Sequence, residues 1–330
     1  MTRVATIVVA AGATAALWWW EVHCRGQLGA TGAGGADATL AWRWAGHVVL
    51  FGLLAAATWI DLRDRVIPDA ITVPGVLLGL GWAAAAPGTL LPITRDVPRS
   101  FAAPLVVDDV LGLAGPLHEP VPPWLTGWGG LAAALAVFVA WWWTCTAPFL
   151  WVGDPPRPRG GWREPRAWIL GLGLAGLSAA WARGVDHRLA VLSAVAGLAV
   201  GAGLVWLTRI GASRALGREA LGFGDVTLMA MVGAWLGWQA AVLVCCLGVA
   251  IGLAHGLVQF VAHRDNELPF GPSLCLGAVS LVACWRPLWA AAGPHFDRPL
   301  ELAVVVAAVI LLTAASLAAW RRVRDRGVSG

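Results

Sequence analysis

Residues 42–60 read WRWAGHVVLFGLLAAATWI and residues 61–69 read DLRDRVIPD, so a long apolar run ends abruptly on an aspartate. A helix needs about 20 mostly apolar residues to cross a bilayer core of roughly 30 Å. The first segment meets that requirement, and the second is too charged to stay in lipid. Outward from this point the pattern repeats. Of 330 residues, 58% are hydrophobic and 13% charged, a balance that would leave large apolar patches on a water-soluble domain of this length. Lipid is therefore the solvent.

Comparable runs of about 17 to 25 residues give about ten spans. Their edges are near 4–20, 42–60, 70–86, 129–150, 167–182, 189–208, 226–238, 240–262, 271–291 and 301–320. The fold class is thus all-α, a polytopic transmembrane helix bundle in one membrane domain over 1–330. Val4 to Trp20 follows Arg3 but ends in Trp18, Trp19 and Trp20 rather than a small-residue cleavage site, and so reads as a retained span. Cys24, Cys145, Cys245, Cys246, Cys275 and Cys284 contain no C-x-x-C pair. No zinc site, disulfide framework or other cofactor is expected from them.

The net charge is +4 and every basic residue is Arg. These arginines cluster in connecting segments, a pattern that reports topology and gives no sign of a nucleic-acid partner. Most arginines lie in Met1 to Arg3, Arg63 with Arg65, Arg157 to Arg166, Arg209 to Arg218, Arg264, and Arg321 to Arg326, and fewer lie in the other connections. A cytoplasmic N-terminus with alternating spans puts all of those named segments, and the C-terminus, in the cytoplasm. The other side receives Glu21 to Ala41 and the proline-rich Pro87 to Trp128. Asp225 to Trp238 is short for a crossing, and a re-entrant helix there would change the count. If it crosses, Asp61 and Asp225 share the cytoplasmic edge.

Ionisable groups in or beside spans are costly and are functional candidates by default. Asp61 and Asp225 stand out. Without a metal or a nucleophilic side chain, peptide hydrolysis needs one carboxylate to activate water and one carboxylic acid to protonate the substrate. Two aspartates that share a proton cannot both ionise, so each takes one role. Gly222 and Gly224 flank Asp225 with residues that lack Cβ, which lets a strand approach and permits positive φ. Asp225 opens a predicted helix, where the macrodipole favours a negative charge, and Asp61 closes one, where it does not. Asp225 is then the readier base and Asp61 the readier acid, with macroscopic titration belonging to the pair.

These residues resemble the motifs of bacterial type IV prepilin peptidases, GxGD-type intramembrane aspartic peptidases. Ile60-Asp61-Leu62-Arg63 with Ile67-Pro68-Asp69-Ala70-Ile71-Thr72 is similar to the family's first motif, an aspartate before I-P-[ND]-x-L-T. Gly222-Phe223-Gly224-Asp225, running into Gly233-Ala234-Trp235-Leu236-Gly237, resembles the second. Leu268-Pro269-Phe270-Gly271-Pro272 is similar to the I-P-F-G-P stretch that follows. Arg218 and Glu219 sit where the family often has a basic and an acidic residue. The resemblance implies catalysis by Asp61 and Asp225, with Pro68, Asp69, Gly222, Gly224, Pro269, Phe270, Gly271 and Pro272 as supporting motif positions. It also implies prepilin-like substrates, cut after a glycine at the cytoplasmic face of a bacterial plasma membrane, and no cofactor.

The chain departs from the family in three places. Bifunctional members carry a cytosolic region with paired cysteines between their first two spans and methylate the new N-terminus. Here Glu21 to Ala41 is short, holds only Cys24 and is expected on the other side, so methyltransferase activity is not expected. The motifs lie within 42–86 and 189–291, and 87–188 reads as an insertion with a proline-rich loop and about two extra spans. Thr227 stands where the family usually has Lys, which would alter substrate contacts at the rim.

Blander readings stay open from the residues alone. Asp61 is also placed to pair with Arg63 or Arg65 at the interface, and Asp225 to cap a helix. Asp64 and Asp69 read as solvated loop charges, and His47 and His255 as satisfied bundle residues rather than ligands. The Trp18–Trp20 and Trp141–Trp143 clusters suit the membrane interface. Ala194, Gly197 and Gly201 permit close helix packing, which would let spans two and seven meet. A transporter or proton-relay protein, and a catalytically silent assembly factor, are the competing functions.

Overall fold

A computed structural model describes residues 3–27, 37–95, 105–107, 122–146, 163–217, 219, 221–263 and 270–296, with scattered positions from 298 to 315. The chain runs through α1 (Arg3–Trp18), a π-helical turn (Trp19–His23), α2 (Asp37–Asp64) and α3 (Asp69–Ala85). Strands β1 (Ile93–Arg95) and β2 (Leu105–Val107) follow, then α4 (Pro123–Thr126), α5 (Trp128–Thr146), α6 (Arg163–Arg183) and α7 (Val185–Leu216). Next come α8 (Phe223–Leu236), α9 (Trp238–His263), α10 (Gly271–Ala283) and α11 (Trp285–Phe296).

The architecture is helical. Among the described residues the exception is one antiparallel pair of three-residue strands, Ile93 opposite Val107, within the proline-rich connection. Among the described residues, four helices are long and apolar enough to cross a membrane, or five if the bent α10–α11 pair is one span. The four are Ala38–Asp64, Trp128–Cys145, Val185–Ala215 and Trp238–His255, while α3 and α8 are shorter apolar helices. Half of the 301–320 run lies outside the described residues, and its described residues are helical.

The run at 271–291 is not one helix: α10 and α11 meet at 97°. The cause is local. Were the helix continuous, Pro287 could not donate to the Ala283 carbonyl and its ring would press on it. The chain instead breaks at Cys284 (φ −110°, ψ 25°).

A short helix of the central bundle, α8, is its most buried. Every residue of α8 from Asp225 to Leu236 is buried, and its 14 residues rise only about 21 Å, less than a bilayer core. Glycines allow its neighbours to approach closely. Gly197 and Gly201 of α7 lie against the carbonyls of Gly233 and Met229, leaving no room for a Cβ at either. On the other flank Trp235 Nε1 donates to the Gly75 carbonyl of α3 at 2.9 Å. The small-residue spacing in span six therefore joins α7 to α8. Contact between α8 and the segment after span two is made elsewhere, at Ile67.

At the end of α8, Gly237 takes φ 87° and ψ 172°, a conformation open to glycine, and turns the chain into α9. That end of the bundle is pinned by polar contacts to backbone. Arg43 of α2 donates to the Gly88 carbonyl at 2.7 Å and the Thr89 carbonyl at 3.3 Å. His187 Nδ1 lies 2.9 Å from the Ala84 carbonyl, and Trp285 Nε1 donates to the Pro92 carbonyl at 2.7 Å. His47 is buried 2.7 Å from Glu21 Oε1, so it is indeed partnered inside the bundle. Arg43 escaped the sequence reading because it sits inside an apolar run.

Candidate active site

The opposite end of the bundle gathers three separate pieces of sequence around Ile67. The first is the end of α2. The helix runs past its apolar stretch to Asp64, closing with the Arg65 N–H on the Asp61 carbonyl at 2.9 Å and Arg65 at φ 54°. Asp61 thus occupies the last full turn, on the inward side, and is 7% exposed. Leu62 and Asp64 point outward, and Arg63 lies 3.7 Å from Asp64 with both side chains open to solvent. Asp64 is accordingly a surface charge, as expected.

Pro68 then starts α3. Its fixed φ suits a helix entry, and its carbonyl accepts the N–H groups of Ile71 at 3.0 Å and Thr72 at 3.4 Å. Asp69 is half-buried in the first turn. Among the described residues the buried Thr72 hydroxyl has no hydrogen-bond partner.

The second piece is the start of α8. The N-cap residue is Gly222, not Asp225. Asp225 is three positions into the helix, and its carboxylate accepts the Gly222 N–H, the returning half of a capping box. Neither Gly222 nor Gly224 has positive φ, so that part of the sequence reading does not hold. At Gly224 the reason for glycine is close approach: a Cβ would stand 2.8 Å from Ile67 Cβ and 3.1 Å from the Ile67 carbonyl oxygen. Gly222 is exposed, and a Cβ there would meet Asp225 Oδ2 at an ordinary 3.7 Å. One carboxylate oxygen therefore faces an open flank. Asp225 itself is 7% exposed.

The third piece is the start of α10. The Phe270 carbonyl accepts the N–H groups of Ser273 at 3.1 Å and Leu274 at 3.2 Å, with Pro272 tolerated in the first turn. Gly271 is buried, and a Cβ there would stand 2.5 Å from Asp61 Oδ2 and 2.8 Å from Ile67 Cδ1. Leu268 and Pro269 lie outside the described residues, as does Arg218.

Asp61 and Asp225 are close enough to interact electrostatically, and Arg209 acts on Asp225 as well. The Cys275 thiol lies within electrostatic range of both carboxylates and is hydrogen-bonded with Thr58. Two inward carboxylates with an open flank beside one of them can hold a water between proton donor and acceptor. Thr227 does not reach the rim: it is buried, and its hydroxyl donates to the Gly224 carbonyl at 3.0 Å.

Four contributors were missed in the sequence. Ile67 was quoted as part of a motif but is the hub on which Gly224 and Gly271 both rest. Cys275 and Thr58 lay hidden in apolar runs. Arg209 was counted only as a topology signal.

Comparison with known proteins bears on one of these pieces directly. Residues 165–257 match the profile of the type IV leader peptidase family, a stretch that holds α8 and Asp225 but neither Asp61 nor Gly271. A prepilin leader peptidase/N-methyltransferase of Burkholderia pseudomallei is 34% identical over 112 residues, 33% of this chain and 35% of that protein. One from Aeromonas salmonicida is 37% identical over 90 residues, 26% of this chain and 30% of that protein. A type 4 prepilin-like proteins leader peptide-processing enzyme of Escherichia coli is 34% identical over 118 residues, 36% of this chain and 42% of that protein. The chain thus spans well under half the length of these curated relatives. No solved structure matches. The segment of this chain that carries Asp225, residues 165–257, is similar to the type IV leader peptidase family.

Proposed function

We propose that this protein is an aspartic endopeptidase that removes the N-terminal leader of prepilin-like precursors, with Asp61 and Asp225 as its catalytic pair. The convergence of the three motifs on Ile67, with both carboxylates turned inward, is the observation that carries this reading. One carboxylate takes a proton from water as the resulting hydroxide attacks the scissile carbonyl carbon. The other, protonated, gives its proton to the carbonyl oxygen. Collapse of the tetrahedral species breaks the C–N bond while the first carboxyl passes its proton to the leaving amine and the second regains one from the hydroxyl. Burial and the neighbouring Asp61 charge oppose negative charge on Asp225 more than the Gly222 N–H and Arg209 support it, so the base and acid roles belong to the pair.

Location supports the same substrate class. Trp59, Leu62 and Leu276, around the Asp61 end of α2 and on α10, are exposed apolar side chains, suited to the hydrophobic helix of a precursor. The polytopic arrangement that fits has about ten crossings with both termini in the cytoplasm of a bacterial plasma membrane. Residues 61–69, 222–225 and 270–271 at one end, and 84–92 with 183–188 at the other, agree with that alternation. The motif-bearing parts, 42–86 and 189–291, make the catalytic core of a single membrane domain. The stretch 87–188 adds α5 and α6 beside α7, although the family match begins at residue 165, within α6.

The test is coexpression with a pilin-like precursor, followed by mass measurement of the precursor. Loss of the leader, with a free and unmethylated new N-terminus, is the expected result. An intact precursor accompanied by proton or solute flux would instead support the relay reading, and an intact precursor without flux the silent assembly factor.

A further inference from the structure

Arg209 is 6% exposed near the end of α7, an expensive place for a guanidinium unless it is held by specific partners. Its partners form a sequence along the strand of chain that leads into α8. Nη2 lies 2.7 Å from Glu219 Oε1, Nε donates to the Leu221 carbonyl at 2.9 Å, and Cζ stands 5.9 Å over the Phe223 ring. Positions 219, 221 and 223 are thus gripped by one planar side chain, two residues short of Asp225. The middle contact is the informative one. The Leu221 carbonyl and the Gly222 N–H belong to a single planar peptide unit and point in opposite directions. Arg209 holds the oxygen of that unit, and the Asp225 carboxylate accepts its N–H.

We propose that Arg209 is a positioning residue for the reaction, acting on Asp225 through the Leu221–Gly222 peptide. A cation on the carbonyl orients the unit and strengthens its N–H as a donor, because chained hydrogen bonds polarise one another. Lysine is not equivalent here. It carries the charge but lacks the fork that meets Glu219 and Leu221 together and the flat face that lies over Phe223. This role rests on the proposed peptidase activity.

The test compares purified wild type with Arg209→Met, Arg209→Lys and Glu219→Gln in cleavage of a pilin-like precursor, together with amide exchange of the 217–224 segment. Arg209→Met is expected to lower kcat roughly 10- to 100-fold, since small misplacement of a reacting group has effects of that order, with KM within about twofold. The acid limb of its pH–rate profile moves to higher pH, because a positive charge facing Asp225 is gone while Asp61 and the Cys275 thiol remain. A purely structural role would lower the yield of folded protein without moving that limb. Amide exchange in 217–224 rises, and exchange within 228–236 does not. Arg209→Lys restores the position of the limb but only part of kcat, and Glu219→Gln, whose side chain is half exposed, has the smallest effect. If Arg209→Met does not accumulate, the Lys variant carries the test through its kcat and its exchange. Wild-type kcat and an unmoved limb in Arg209→Met, or unchanged exchange in 217–224, overturn the inference and leave the peptidase reading standing. Failure of the wild type to cut any precursor removes both.

Discussion

Asp225→Asn is expected to leave precursor uncut while the protein still folds. The amide matches the carboxylate in shape, and its oxygen can still accept the Gly222 N–H that Asp225 accepts now, so the start of α8 and its burial are retained. What is lost is the ability to take a proton from water. General acid–base contributions are typically 10²- to 10⁴-fold, and a residue that acts in both halves of the reaction sits at the upper end. We expect a loss of about 10³-fold or more in leader removal, with the detergent melting temperature close to that of the wild type. Cleavage by this variant within about tenfold of wild type would remove Asp225 from the chemistry and leave it a helix-start residue.

Gly271→Ala separates the placement of Asp61 from the stability of the bundle. Gly271 occupies the first helical position of α10, where alanine is a good helix residue, so the local backbone gains nothing from glycine. The obstacle is the Asp61 carboxylate, whose Oδ2 stands 2.5 Å from where the new Cβ would be, with Ile67 Cδ1 at 2.8 Å. Both are the free ends of side chains. They can move aside at little energetic cost, but the carboxylate cannot do so and keep its place opposite Asp225. A displacement near 1 Å is worth about 10²-fold in rate. Leader removal should therefore fall by that order with melting unchanged. A fall in both together would mean that the glycine serves packing alone.

The apolar runs located most helices because lipid leaves the backbone no partner but itself, so length and composition suffice. The described parts of the runs at 42–60, 129–150, 189–208 and 240–262 fall on helices long enough to cross. The break at Cys284 was missed because an apolar window is blind to one proline in its middle, although Pro287 was there to be read. The motifs marked residues that meet, but not how. Gly224 read as room for a substrate strand or a positive φ and Gly271 as a motif position, and both turn out to be clearance, for Ile67 and for Asp61 with Ile67. Such clearance depends on what another segment brings to the spot, and single-chain spacing carries no trace of it. Arg209 was misread for a related reason: an arginine beside a cytoplasmic edge looks the same in sequence whether it faces headgroups or a peptide carbonyl.

Asp225 is embedded in the segment that matches the family, whereas Asp61 lies outside residues 165–257 and has a second aspartate three residues away. The measurement that bears most directly on the pair is therefore leader removal by purified Asp61→Asn beside Asp64→Asn. Asp61 is buried against Gly271 and Asp64 is exposed beside Arg63, so the first variant should be inactive and the second should cut at the wild-type rate. Continued cleavage by Asp61→Asn, or its loss in Asp64→Asn alone, would contradict a catalytic pair formed by Asp61 and Asp225.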